Sequence, residues 1–471
     1  MFKYAILKKN NPDFLKQKNK GAITLYVLSF GIVFLILLGG LFSFVLNQFK
    51  ISTQRLAWNE ALHIAEAGLN YYRWCLNNEV EDSCLAENPY YGASGELLGH
   101  FSLDTQKVES CGLTIQDGIA STGWTERLPS TKRQVSALYA RESVASYSYV
   151  LNSNVWIGSD HEIRGRYHSN GGIRFDGENQ SIVSSALETW TCTSSFGCDP
   201  TREEDGVFTT TGVANPDLFD FPVPSFDFNG ITIDLAQMKN AAQGSGVYLP
   251  PSTDLNPQGR GYRVVFKSDG TFDVFVITGV SSTWAYSLEE GWHYDYFNIS
   301  SQYFHDNFSI PSECSAIFVE DNIWPEGEVD GKIALASANL IDSNVDTDVI
   351  LQGNIDYVLK DGSEGLLLIG QRNILIGPNS PDQMELRGIF IAQKGRFSRN
   401  HYNGNIKEKL EIYGSIVSNG RVGTQWISGS EIVSGYRKRE SYFDSGQIYN
   451  PPVFTPYINP DFKLLNWQEI R

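Results

Sequence analysis

The longest apolar stretch of the chain runs from Ala22 to Leu46 and contains no charged residue. It exceeds the roughly 20 apolar residues that a helix needs to cross a bilayer, and the ~7 to 15 of a cleavable signal core. Residues 1–21 are predicted to be a basic cytoplasmic leader, since they carry six lysines and one acid, Asp13, and the first charge after the apolar stretch is Lys50. Because basic flanks stay in the cytoplasm, this pattern predicts a single span of the cytoplasmic membrane with the N-terminus inside and the rest exported.

Apolar residues continue at helical spacing beyond the membrane stretch. They recur every three or four positions, at Trp58, Leu62, Ala65, Leu69, Tyr72 and Leu76. Such a stripe is typical of a helix that buries one face against a partner. With no proline to interrupt it, one helix is predicted from Ala22 to Asn77, the inner part in the membrane and the outer part a stalk.

Two motifs on this helix resemble a known family. Lys20-Gly21 precedes the apolar run, and Ala61–Leu69 reads ALHIAEAGL. Residues 18–77 thereby resemble the N-terminal domain of PilX-like pilus biogenesis proteins and minor pilins. The resemblance implies a type IV pilus protein that is processed between Gly21 and Ala22, with other pilin subunits or pilus assembly proteins as partners. An uncleaved single-span anchor is the alternative interpretation.

One position departs from the pattern of most pilins. Their mature chain carries glutamate as its fifth residue, whereas Tyr26 stands there if Gly21 precedes the cleavage site. PilX-like proteins and the K-type minor pseudopilin of type II secretion resemble this chain in lacking the acid. In the family the glutamate neutralises a neighbour's N-terminal amine inside the fibre, where an unpaired charge is costly. The resemblance therefore implies a place at the pilus tip.

The exported part shows two further hydrophobic patterns. Residues 78–145 contain short alternating runs that predict the small antiparallel sheet of a pilin-like head. From residue 146 short apolar runs recur at intervals of roughly 15 to 25 residues, which is typical of stacked repeats. Three of them share one frame, beginning at Ile163, Leu386 and Ile412. Residues 146–185 and 314–440 are therefore predicted to form a right-handed parallel β-helix, with a β-sandwich as the alternative.

Asn170 and Asn419 occupy equivalent places in two of these frames. Asparagine at such a corner either adopts the left-handed backbone conformation or forms a side-chain ladder with its neighbours. The left-handed corner is the favoured interpretation, because asparagine tolerates that conformation better than most residues.

Two segments interrupt or end the repeat. Residues 186–313 are predicted to form an inserted α+β module, with a helix that Asp234 caps and Gly244 ends and a hairpin that turns at Asp269-Gly270. The end of this segment is rich in aromatic residues, which either pack the module against the repeat or stack on surface glycans. Residues 441–471 contain four prolines and are predicted to form an extended tail that covers the repeat.

All six cysteines lie on the exported side, where disulfides are allowed. Cys75 and Cys84 bracket the end of the long helix, and Cys192 and Cys198 are spaced to close a short loop. A disulfide is favoured for the second pair. Six cysteines allow 15 pairings, and the sequence does not choose among them.

Charge and motifs narrow the range of possible functions. The formal net charge of −17 argues against nucleic-acid binding, which needs a basic patch. No histidine or cysteine spacing suggests a metal site, and no cofactor is predicted. Asp342, Asn344, Asp346 and Asp348 alternate, but they lack the glycine and glutamate of a calcium loop. The chain is thus predicted to be an α+β, mainly β, non-catalytic adhesive or structural subunit. The alternative is a membrane-anchored β-helical enzyme acting on polysaccharides.

Overall fold

A computed structural model describes residues 20–229, 234–252, 261–342, 344–429 and 431–470. The predicted basic leader, residues 1–21, lies outside the described residues except for its last two positions. The described chain forms three α-helices: α1 (Lys20–Asn77), α2 (Glu81–Cys84) and α3 (Leu235–Gly244).

The same residues form 32 strands, most of them short. The first fourteen are β1 (Asn88–Tyr91), β2 (Leu97–Ser110), β3 (Leu113–Thr125), β4 (Lys132–Ala140), β5 (Tyr147–Leu151), β6 (Val155–Ile157), β7 (His161–Ile163), β8 (Arg166–Ser169), β9 (Ile173–Phe175), β10 (Glu178–Asn179), β11 (Val183–Ser185), β12 (Thr189–Cys192), β13 (Arg202–Asp205) and β14 (Val207–Phe208). The next nine are β15 (Phe219–Asp220), β16 (Val247–Leu249), β17 (Gly261–Lys267), β18 (Thr271–Ser287), β19 (Gly291–Ser309), β20 (Ala316–Val319), β21 (Asn322–Val329), β22 (Lys332–Ser337) and β23 (Val349–Leu351). The last nine are β24 (Ile355–Tyr357), β25 (Gly365–Gly370), β26 (Ile374–Ile376), β27 (Gln383–Ala392), β28 (Phe397–Ser398), β29 (Ile406–Ser418), β30 (Gln425–Ser428), β31 (Glu431–Tyr442) and β32 (Lys463–Ile470).

The long helix is one rod, which confirms the continuous helix predicted from the apolar stripe. The buried face differs from the prediction at its start, because Trp58 is 48 % exposed while Ala57 and Ala61 are buried. The reason is a close approach by the sheet: a Cβ added to Gly123 of β3 would lie 2.4 Å from the backbone nitrogen of Ala65. Only small side chains fit between the helix and β3 at this point.

An antiparallel sheet packs against the outer half of α1, with strand order β1-β2-β3-β4-β32. Its last strand corrects the predicted extended tail. After Pro460 the chain resumes regular pairing, and Lys463 of β32 lies opposite Ala140 of β4. The prolines end before β32 begins, so they do not prevent this edge strand from forming. The chain therefore leaves the sheet at the end of β4 and returns to it after more than 300 residues.

The intervening chain forms three ladders of parallel strands, here called the parallel region. Ladder A consists of β16, β20, β22, β25, β27, β29, β5, β8, β11 and β15 in spatial order. Ladder B consists of β17, β21, β24, β27, β29, β31, β7 and β10. Ladder C contains β21, β23, β26 and β28 and, beyond an interruption, β6, β9 and β14. Aliphatic and aromatic side chains from all three ladders share one buried core.

The spatial order of these strands is not their order in the chain. Two of the three predicted frames lie directly side by side, since Leu386 of β27 pairs with Ile412 of β29. The next strand of ladder A is β5, where Tyr149 pairs with Ile416 of β29. The earliest and latest parts of the parallel region therefore meet in the middle of ladder A.

Residues 186–313, predicted as an inserted module, contribute strands to these same ladders. β15 pairs with β11, β16 with β20 and β17 with β21, each in parallel. Parallel pairing satisfies their backbone groups on the ladders, so this segment is not a separate unit. Its two predicted local elements are present. Asp234 accepts a hydrogen bond from the Gln237 amide at the start of α3, and β17 turns into β18 at Gly270, whose φ is +73°.

The asparagine prediction was wrong in its favoured form. Asn170 donates to the side chain of Asn152 at 2.9 Å, and Asn152 donates to Asn419 at 2.8 Å. Neither Asn170 nor Asn419 has a positive φ. The equivalent corners are therefore joined by a ladder of side-chain amides across the meeting point of β5 and β29. Amides stacked at strand spacing can each donate to one neighbour and accept from the other, which explains why the ladder is preferred.

Three disulfides are present in the structure. Cys75–Cys84 links α1 to α2, and Cys192–Cys198 closes a loop after β12. Cys111–Cys314 joins the β2–β3 turn to the start of β20 and thus ties the antiparallel sheet to ladder A. The 203-residue separation of this pair gave no local signal in the sequence.

Replacing Cys111 and Cys314 with serine should destabilise the protein by about 5 kcal/mol, because this bridge closes a long loop in the unfolded chain. The matched Cys192→Ser, Cys198→Ser double variant, which opens a six-residue separation, should cost about 2 kcal/mol. Guanidinium unfolding of the detergent-solubilised protein, followed by circular dichroism, measures both. Equal losses would contradict the role of the long loop.

A buried carboxyl group lies between α1 and the antiparallel sheet. Asp117 of β3 is fully buried and accepts a 2.9 Å hydrogen bond from the Tyr72 hydroxyl. Its second carboxylate oxygen has no hydrogen-bond partner among the described residues. Burial raises the pKa of Asp117 above its usual value, and the Tyr72 hydrogen bond offsets this only in part.

Since the folded state binds this proton more tightly than the unfolded chain, the stabilising contribution is complete at acidic pH and is lost as pH rises through the folded pKa. Asp117→Asn should therefore raise the melting temperature at pH 7 and leave it unchanged near pH 3. The exposed Asp104→Asn on neighbouring β2 is the control and should change neither value. A lower melting temperature for Asp117→Asn at pH 7 would contradict the burial argument.

Candidate functional site

The first candidate site is the apolar half of α1. One helix of the described chain, Ala22–Asn77, is long and apolar enough to cross a membrane, with a mean hydropathy of 2.5 in its most apolar window. Large apolar side chains from Ile23 to Phe49 are exposed around the whole helix, and Tyr26 is 65 % exposed. Gly21 and Ala22 lie in its first turns. An apolar helix of this length whose side chains are exposed on all sides is consistent with membrane anchoring.

A second candidate is a cleft of about 270 Å³ at the interruption of ladder C. It lies between Ser398 of β28 and Trp156 of β6, next to the loop that leads into β30. Four arginines and two tryptophans line it, and we call it the arginine cleft: Arg396, Arg399, Arg421, Arg439, Trp156 and Trp426. The tip of the β18–β19 hairpin supplies Leu288 and Glu289 to its wall.

Two of the four arginines have carboxylate partners. Arg439 donates two hydrogen bonds to the Asp160 carboxylate, each 2.8 Å long. The Arg396 Nε lies 3.0 Å from the Glu289 carboxylate, which ties the hairpin tip to β28. These pairs fix the geometry of the cleft walls.

The other two arginines have no carboxylate within ion-pairing distance in the described part of the chain. Arg399 is fully buried and donates to Ser434 at 3.0 Å and to Asn405 at 2.5 Å, while its Nε–H has no acceptor there. Arg421 donates to the Ser195 carbonyl at 3.0 Å. Burial lowers the pKa of both guanidinium groups, which nevertheless remain charged at neutral pH.

Aromatic rings extend from the cleft onto the hairpin. The aromatic tip consists of Trp284 and Tyr286 on β18 and Trp292 and Tyr294 on β19. The two indoles are parallel with centroids 5.8 Å apart, and about half of each is exposed. The Tyr286 ring packs edge-on against Trp426 of the cleft, with ring centroids 5.6 Å apart. The aromatic tip and the cleft therefore form one continuous surface.

This arrangement offers two kinds of contact. Guanidinium groups without internal carboxylates can bind an anion through planar, paired hydrogen bonds. Half-exposed indoles offer flat faces for apolar or ring-shaped ligands. The two carboxylates at the cleft, Asp160 and Glu289, are engaged by arginines.

One half of this surface was predictable from the sequence. The aromatic run is visible there, whereas the arginine cleft has no local signal because its residues come from four separate segments. Two of the alternating acids considered for calcium bind basic side chains instead: Asp346 accepts from Lys394 at 2.6 Å, and Asp348 pairs with Arg372. No group of His, Cys, Asp and Glu in the described residues is placed to hold a metal ion.

Comparison with known proteins gives little further information. No protein-family model and no curated protein matches the chain. Among solved structures, the crystal structure of the competence-associated pilin ComZ from Thermus thermophilus is similar over 88 % of this chain and 97 % of that chain. The sequence identity is 12 % and the TM-score 0.32, so this similarity carries no argument for function.

The hairpin tip is held by two backbone hydrogen bonds: the Tyr286 N–H donates to the His401 carbonyl at 3.1 Å, and the His401 N–H donates to the Tyr286 carbonyl at 2.9 Å. Trp426→Ala removes the ring that packs on Tyr286, so hydrogen exchange of the Tyr286 amide should become about three- to tenfold faster. The control Trp284→Ala removes an indole whose ring contacts lie within the hairpin, and it should leave this amide unchanged. Equal exchange in both variants would contradict docking through Trp426.

Proposed function

We propose that the protein is a membrane-anchored, pilin-like subunit that contributes to type IV pilus assembly or adhesion, as a minor pilin or pilus-associated surface protein. The observation that supports this most is α1 itself. The side chains of its inner half are apolar and exposed, while its outer half packs on an antiparallel sheet. The motifs at Lys20-Gly21 and Ala61–Leu69 support the same assignment through their resemblance to PilX-like proteins.

We further infer that ladders A, B and C are the three faces of a right-handed parallel β-helix. Two features support this architecture. The three ladders share one core, and neighbouring strands of ladder A pair residue by residue in parallel. Right-handed crossovers are the rule for parallel strands. A large rigid head of this kind suits surface display.

The proposed role is non-catalytic. Glycoside hydrolysis requires two carboxyl groups that share a substrate, whereas the two carboxylates at the cleft are each held by an arginine. The proposed partners are the cytoplasmic membrane, other pilin subunits or assembly proteins, and surface glycans.

The proposed location is the pilus tip, with the N-terminus inside the cell before assembly. Tyr26 cannot neutralise the N-terminal amine of a preceding subunit, so the chain is tolerated best where no subunit precedes it. The parallel region would also obstruct regular packing along a shaft.

Gold-labelled antibody against the parallel region should label one end of sheared fibres, because a tip subunit occurs once per fibre. Mass spectrometry of the fibre fraction should find Ala22 as the first residue, and Gly21→Val should leave the chain unprocessed and in the membrane. The matched control is Gly31→Val, ten residues further along α1, and this variant should be processed normally. Regular labelling along fibres would contradict the proposed location at the pilus tip. Labelling of the membrane alone would favour the interpretation as an uncleaved membrane anchor.

A further inference from the structure

We propose that the arginine cleft binds the carboxylate of an acidic sugar and that the aromatic tip stacks on neutral sugar rings next to it. The ligand class is thus an oligosaccharide that carries one acidic unit among neutral ones. This inference deepens the adhesive part of the proposed function and rests on it, while its binding test does not depend on pilus assembly.

The charge distribution carries the first step. In a chain of net charge −17, four arginine residues line one cleft of about 270 Å³. Asp160 pairs with Arg439 and Glu289 with Arg396, while Arg399 and Arg421 have no carboxylate within 4.0 Å among the described residues and Glu289 acts on Arg421 only at longer range. The uncompensated charge of the cleft therefore favours an anion.

Burial carries the second step. Arg399 is fully buried, and its Nε–H lacks an acceptor in the described chain. A buried donor to which no group is bound costs stability, more so on a charged group. Because Arg399 has no accessible surface, it supplies positive charge without touching the ligand, whereas the partly buried Arg421 is the guanidinium group that an oxyanion in the cleft can contact.

The neighbouring surface selects the kind of anion. Trp284 and Trp292 expose about half of their indoles beside the cleft, and Trp426 connects the tip to the arginines. Flat aromatic faces suit sugar rings, whose C–H faces are apolar. The cleft volume lies just under the roughly 300 Å³ at which drug-sized pockets begin, so it accommodates about one ring.

Confinement of the positive charge argues against longer polyanions. A nucleic-acid strand needs a basic groove that follows its backbone, whereas here the arginines without carboxylates lie in a single cleft of an acidic protein. One acidic unit matches one cleft, and neutral neighbours match the four uncharged rings of the aromatic tip.

The test uses the detergent-solubilised full chain and isothermal titration with sialyllactose, which has one carboxylate on a neutral disaccharide, and with lactose. Sialyllactose should bind about tenfold more tightly than lactose or better, as expected for a charge-assisted contact. Arg421→Gln should remove most of this preference, and Trp284→Ala should weaken both sugars about fivefold. The control Arg437→Gln removes an exposed arginine that is paired with Glu408 and should change nothing.

Equal affinity for the two sugars would overturn the acidic-sugar assignment, as would identical behaviour of Arg421→Gln and Arg437→Gln. Tighter binding of triglutamate or of a short single-stranded DNA, lost in Arg421→Gln, would reassign the cleft to a peptide or a phosphate backbone. Melting curves of each variant exclude misfolding, and Arg421→Lys, which keeps the charge but not the planar fork, should retain part of the preference. If the antibody failed to label fibres while sialyllactose still bound, the pilus role would be refuted and the sugar-binding proposal would stand.

Discussion

The pairing of β32 with β4 is the constraint on which the rest of the molecule depends. It brings the chain back beside the strand from which it departed, so both ends of the parallel region are attached to one small sheet. Glu142, directly after β4, reinforces the closure through ion pairs with Lys463 and Arg166 and through its carbonyl, which accepts from Ile458. Cys111–Cys314 adds a covalent link between the same two parts. A large head can therefore be carried on a single helix without a flexible linker.

The local elements were predictable because their signals are local. The apolar period of α1, the cap at Asp234 and the Asp269-Gly270 turn each depend on a few adjacent residues and ordinary backbone preferences. β32 was missed because proline density hid a strand that begins only after Pro460. The interleaving of residues 186–313 with the ladders was missed because a strand of two or three residues has no periodicity of its own, and only its distant partners reveal it.

The arginine cleft illustrates the same limit at the level of function. Arg396 and Arg399 are neighbours in the chain, but Arg421 follows a strand later and Trp156 lies on the far side of the interruption in ladder C. No spacing rule connects these positions. The aromatic run between Trp284 and Tyr294 was visible in the sequence, yet its position beside a cationic cleft follows from the length and direction of the β18–β19 hairpin.

The spatial order of ladder A has a consequence for how the protein is made. β5 is synthesised early, but its neighbour β29 follows some 260 residues later, as Tyr149 pairs with Ile416. During synthesis one edge of β5 therefore presents unpaired amides and carbonyls until most of the chain has been made, and such edges promote wrong pairing between chains. Contacts so distant in sequence also form slowly. In a chain built in this way, the edge of β5 has to be kept from other chains until β29 is available to pair with it.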